Sequence, residues 1–182
     1  MFITNGPYKE EINSLVNKSE PSENVELKAL SFKEVSGWVY ISLKKNDTDF
    51  QIKYSSFTTD TSELVHFFSK IIDLKDDVAL LLDNEGSEPL IYAKAIDDNK
   101  VRFIFATDYD LYADDNIDYG IDDYKVELDI IIDKKILLQE FYNVLKPYLE
   151  NFDVEENEFI IMKPDKAKEN LSIIEKFLYR FS

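Results

Sequence analysis

Two runs of strictly alternating residues set the strongest limit on the fold. Trp38, Tyr40 and Ser42 alternate with Val39, Ile41 and Leu43; Phe50, Ile52 and Tyr54 alternate with Gln51, Lys53 and Ser55. Successive side chains of a strand point to opposite faces, so a run of this kind fits a strand with one buried and one solvated side. The polar segment Lys45-Asn46-Asp47-Thr48-Asp49 separates the two runs, which therefore predict a β-hairpin.

The remaining chain extends this pattern. Val25 to Phe32 alternates Val25, Leu27 and Ala29 with Glu26 and Lys28, predicting an earlier strand. Further strands are expected over Val78–Leu82, Leu90–Ile96 and Val101–Phe105, joined by the turns Asp83-Asn84-Glu85-Gly86 and Asp97-Asp98-Asn99-Lys100. Val126, Leu128, Ile130 and Ile132 alternate with Lys125, Glu127 and Asp129, and Phe159 to Met162 predicts a short last strand. Short turns between successive strands favour antiparallel pairing.

Helical spacing marks four other segments. Ile12, Leu15 and Val16 fit a helix over Tyr8–Lys18 that Pro21 ends. Asp60 stands as an N-cap with Glu63 three residues on, ahead of the stripe Leu64, Phe67, Phe68, Ile71 and Ile72. Asp133 caps a helix bearing Leu137, Leu138, Phe141, Leu145, Tyr148, Leu149 and Phe152, which Pro147 is expected to kink or end near Lys146. Pro164 opens a final helix with Ala167, Leu171, Ile174, Leu178 and Phe181 on one face. The expectation is an α+β fold: an antiparallel sheet of about six or seven strands, built as hairpins or a meander, with helices packed on one face. No internal repeat or linker divides residues 1–182, so a single domain is expected.

Composition narrows the chemistry. The 182 residues include no cysteine, which excludes disulfides, a thiolate zinc site and a cysteine nucleophile. The start, Met1-Phe2-Ile3-Thr4-Asn5-Gly6-Pro7, lacks the basic and long apolar regions of a signal peptide, and apolar runs such as Ile130-Ile131-Ile132 fall far short of the ~20 residues that span a bilayer. A soluble, cytoplasmic protein without a membrane partner is expected. Abundant Lys, Ile, Asn, Tyr and Phe, with Arg102 and Arg180 as the only arginines, fit an AT-rich bacterial genome.

Charge is concentrated in the middle of the chain. Residues 61–130 hold 18 acids against 6 bases, so −12 of the net −16 lies there. Such a field repels nucleic acid and anionic membrane and speeds encounter with cationic surfaces. A basic protein partner is expected, and no nucleic acid.

No catalytic constellation emerges. His66, the single histidine, lies nearly opposite Leu64, Phe68 and Ile71 on its predicted helix and is expected to face solvent. The four glycines, Gly6, Gly37, Gly86 and Gly120, form no phosphate-binding pattern. Asp83 and Glu85 read as turn residues and Glu155-Glu156 as a solvated loop, although paired carboxylates can serve acid–base chemistry. No cofactor is expected.

The most distinctive segment is Asp108 to Asp123, with seven aspartates and no base. Tyr109, Tyr112 and Tyr119 are interleaved and Tyr124 follows. Asp114-x-Asn116-x-Asp118 imitates the start of a calcium loop, but glycine falls one place late at Gly120 and Lys125 stands at the twelfth position. A solvated loop without a role, a cation loop and a protein-binding surface all fit. In the last, tyrosines supply contact area and carboxylates select a basic partner. The candidate contact residues are Tyr109, Asp110, Tyr112, Asp114, Asp115, Asp118, Tyr119 and Asp122.

Size, absence of cysteine, net charge and this Tyr/Asp-rich segment together make the chain resemble the small acidic immunity proteins of bacterial toxin–immunity pairs. The resemblance implies a stoichiometric inhibitor that covers the active site or an adjacent exosite of a toxin, often a basic nuclease. The alternatives are a carboxylate- or metal-dependent enzyme, with magnesium or calcium in the Asp114–Asp118 region, and a structural adaptor subunit.

Overall fold

The computed structural model describes residues 8–83, 89–107, 124–152 and 162–180. Its elements follow in the order α1 (Tyr8–Lys18), β1 (Leu27–Val35), β2 (Trp38–Lys45), β3 (Thr48–Ser55), α2 (Thr61–Ile71), β4 (Asp77–Leu81), β5 (Leu90–Ala95), β6 (Lys100–Thr107), β7 (Lys125–Asp133), α3 (Lys134–Glu150) and α4 (Pro164–Tyr179). The α+β class holds, but the single sheet does not. The strands form two antiparallel sheets, β1-β2-β3 and β4-β5-β6-β7. Both are meanders of sequential neighbours, as short turns dictate. The Ser55 amide of β3 donates to the Asp83 carbonyl just after β4 at 2.8 Å, and Ser22, ahead of β1, pairs in parallel with Ile130 of β7.

The hairpin turns follow from local chemistry. Val35 pairs with Trp38 and Lys45 with Thr48, leaving two-residue loops. Such loops need positive φ, and Ser36 (53°), Gly37 (83°) and Asn46 (51°) supply it. At the β5–β6 turn, Asp97 Oδ1 accepts from the amides of Asn99 and Lys100, both at 2.7 Å.

One large cluster joins the inner faces of both sheets to α2, α3 and α4. It centres on Phe67, Phe68, Phe103 and Phe141, with the Phe68 and Phe141 rings stacked at 3.9 Å. Helices on a single face, however, is incorrect. Ile12, Leu15 and Val16 of α1 pack on the opposite side of the four-stranded sheet, against Ala79, Leu81, Leu90, Tyr92, Ile104 and Ala106. That sheet is buried on both faces, which explains the near-continuous apolar runs of β4, β5 and β6.

Two bulges correct the strand readings. On β7, Leu128 pairs with Phe105 but Val126 pairs with Ala106, so Glu127 is the extra residue. Val126 and Tyr124 therefore join the α1 side, while Leu128, Ile130 and Ile132 face the large core. On β1 the extra residue is Leu30, which is why Leu27 and Phe32 are both buried and Leu30 is exposed. The Ala29 amide, on the edge strand β1, donates to Glu140 Oε2 on α3 at 3.0 Å.

The helix starts match their signals. Asp60 Oδ1 accepts from the Ser62 amide at 2.8 Å, Asp133 Oδ1 from the Lys135 amide at 2.7 Å, and Pro164 opens α4. Pro147 does not end α3, which runs on to Glu150. Proline forfeits one amide bond, but the next turn still closes, with the Asn151 amide on the Pro147 carbonyl at 3.3 Å. Residues 159–161 of the expected last strand and Phe181 lie outside the described residues.

Candidate functional site

The eight residues expected to contact a partner, Tyr109, Asp110, Tyr112, Asp114, Asp115, Asp118, Tyr119 and Asp122, lie outside the described residues, as do Glu85, Glu155 and Glu156. The structure does fix where their segment is anchored. It connects β6 to β7, adjacent antiparallel strands whose last pair is Thr107 with Lys125. Both attachment points therefore sit together at one end of the four-stranded sheet.

Farther along the same two strands a buried ion pair braces the sheet. Arg102 of β6 donates from Nε to Asp129 Oδ1 at 2.9 Å and from a terminal nitrogen to Oδ2 at 2.6 Å. The same nitrogen reaches the Ser19 carbonyl at 2.8 Å and hydroxyl at 2.9 Å, fastening the chain after α1 to the sheet. Asp129 hydrogen bonding holds the guanidinium above its ordinary pKa. Its donors face protein acceptors, which makes the pair a brace.

His66 departs from expectation. It is half-buried at the contact between α2 and α4, with Nδ1 2.9 Å from Asn170 Oδ1. The Asn170 amide nitrogen donates to the Lys166 carbonyl at 2.8 Å, which turns Oδ1 toward His66 and Ser69. Nδ1 then carries the proton and donates. The Ser69 hydroxyl has two acceptors within reach of its one proton, the His66 carbonyl at 2.7 Å and Asn170 Oδ1 at 2.9 Å. With Nδ1 acting as donor, it cannot take the serine proton, so this trio is a helix–helix tie and no nucleophile–base pair. It opens on a groove of about 740 Å³ that Lys70, Asp73, Asp76 and Asp77 also line.

Three further polar groups tie elements together. Glu34 of β1 accepts from the Ser56 hydroxyl at 3.0 Å and from the Tyr148 phenol of α3 at 2.9 Å. Burial, then the Glu34 charge, pushes the Tyr148 phenol up, so it stays protonated and donates. On α3 and α4, Tyr142 donates to Glu175 and Lys146 contacts both, at 2.9 and 3.0 Å. Those bonds hold Glu175 below and Lys146 above their usual values. At the start of α2, burial pushes Asp60 up, but hydrogen bonds from Ser62 and the Lys163 ammonium at 3.1 Å outweigh it and hold the carboxyl low.

Two of these groups pair opposite charges, Lys146 with Glu175 and Lys163 with Asp60, and in the third a neutral phenol and a hydroxyl donate to the Glu34 carboxylate. Among the described residues no group of three or more His, Cys, Asp or Glu is arranged to hold a metal ion, and no helix is long and apolar enough to cross a membrane.

One surface feature escaped sequence reasoning. Trp38, Tyr40 and Lys53 meet on the outer face of the three-stranded sheet, with Lys53 Nζ 4.0 Å above the Trp38 ring and 5.9 Å from the Tyr40 ring. The signal was present in the alternation, but the cross-strand register that joins these residues is not written in any single run. No family model, no curated protein and no solved structure matches the chain.

Proposed function

We propose that the chain is a non-enzymatic, acidic protein-binding protein whose most fitting role is that of an immunity or inhibitor protein neutralising a basic partner such as a toxin nuclease. The observation that supports this reading is the placement of charge. The β6–β7 connection carries seven aspartates and no base, and its two ends are held together at the edge pair Thr107–Lys125. The anchor points, Thr107 and Lys125, belong to a sheet that Arg102 and Asp129 brace. Carboxylates speed encounter with a cationic surface, and Tyr109, Tyr112 and Tyr119 supply area for short-range contact.

An affinity pull-down of the tagged protein from its native lysate at moderate salt, read by mass spectrometry, tests the reading. It predicts one basic protein recovered near one-to-one that is toxic when produced alone. Recovery of only acidic proteins, or of a basic partner whose activity is unaffected by the complex, contradicts it.

A further inference from the structure

Net charge conceals an arrangement on the outer face of the β1-β2-β3 sheet. Strand register sets its residues in rows: Val35 with Trp38, then Lys33–Tyr40–Lys53, Ser31–Ser42–Gln51 and Lys28–Lys44–Asp49. Alternate residues on a strand are about 7 Å apart, so Trp38 and Tyr40 are consecutive platforms along β2. Both rings are half-buried and belong to neither hydrophobic cluster. Lysines stand on both sides of Tyr40, and Lys53 also covers Trp38.

Carboxylates are kept from the centre of this face. Glu34 points inward to Ser56 and Tyr148. Glu26 pairs with Lys28 at 2.7 Å beside the row that holds Asp49, at the far end from Trp38. Neither row bearing an aromatic carries an acid, and the Tyr40 row carries a lysine on each side. A ligand that uses both features needs repeated negative charges and exposed flat rings. Single-stranded nucleic acid has both, whereas a duplex hides its base faces and an acidic polypeptide answers only the lysines. Lysine, a point charge without arginine's fork, gives contact with phosphate that is tolerant of sequence.

The net charge of −16 opposes this at long range. Behind the face lie a core and a helical layer, each about 10 Å thick. Screening over about 8 Å at physiological salt weakens any charge farther than that from the bound strand more than the lysines in contact with it.

We infer that the outer face of the three-stranded sheet is a platform for single-stranded nucleic acid, with bases stacked on Tyr40 and on the Trp38 ring, which Lys53 vacates to pair, as Lys33 does, with phosphate. This surface is independent of the β6–β7 connection and of the basic-partner reading.

Trp38 is the only tryptophan, so its fluorescence reports on this face alone. Titration with 15-nucleotide oligo-dT and oligo-rU is expected to quench it to saturation, with a duplex of equal length binding far more weakly. With two phosphates engaged, affinity falls roughly 7-fold between 50 and 200 mM salt. Lys33→Glu with Lys53→Glu is expected to weaken binding by about tenfold or more and flatten the salt dependence. Tyr40→Ala costs about fivefold or more, while Tyr40→Phe binds as wild type. Asp49→Lys is expected to tighten binding, a gain that misfolding cannot produce. No quenching at 50 mM salt, unchanged affinity in the double lysine variant, or equal binding of poly-L-glutamate would overturn the assignment.

Discussion

Replacing Arg102 by methionine removes the partner of a carboxylate that is 6% exposed. Asp129 then loses bonds at 2.9 and 2.6 Å, and the Ser19 carbonyl and hydroxyl lose their common donor. Breaking a buried pair by removing one member costs about 3–5 kcal/mol, because an uncompensated charge stays in the interior. That is a large share of the roughly 5–15 kcal/mol that holds a domain folded. With a urea m-value of about 2 kcal/mol/M, the unfolding midpoint should fall by about 2 M. Circular dichroism and Trp38 fluorescence provide independent probes of the transition. Removing both charges, as Arg102→Met with Asp129→Leu, leaves no orphaned charge, and most of the loss should return. A single variant costing under about 1 kcal/mol, or a double variant as unstable as the single, would refute the reasoning that burial makes this pair costly to split.

Two other perturbations follow from local geometry. Gly37 has φ +83°, and a Cβ there would lie 1.9 Å from Phe57 Cε2, so Gly37→Ala should cost about 2–3 kcal/mol by thermal melt, falling to about 1 kcal/mol in a Phe57→Ala background, where only the backbone conformation is penalised. Asp60 has its folded pKa below the usual 3.8, so its charge contributes stability above that value and loses it as pH falls through the folded pKa. Asparagine caps a helix about as well, so the melting-temperature gap between wild type and Asp60→Asn should be widest above about pH 5 and narrow toward pH 3.

Much of the fold was legible because its causes are local. The β2–β3 hairpin shows in period-two alternation, α2 in the Asp60 cap and the Leu64–Phe67–Phe68–Ile71 stripe, and α4 in Pro164. What escaped depends on residues distant in sequence. The bulge at Glu127 reassigns Val126 to the α1 side, although the run Val126, Leu128, Ile130 and Ile132 alternates without a break. The division into two sheets depends on which strand edges pair, and His66 is half-buried only because α4 brings Asn170 against it. The cationic-aromatic face needed the register joining Lys33, Tyr40 and Lys53 across three strands. The candidate partner site was read from charge and tyrosine content, and the described strands add only its anchorage at Thr107 and Lys125.

The basic-partner reading is tested most directly by association kinetics with the protein recovered on pull-down. The variant carries Asp114, Asp115, Asp118 and Asp122 all changed to lysine. The account predicts that the on-rate at low salt falls by about tenfold or more against wild type, and that the gap closes as salt is raised and steering is screened. An on-rate unchanged at low salt would remove this segment from the interface and contradict the central claim.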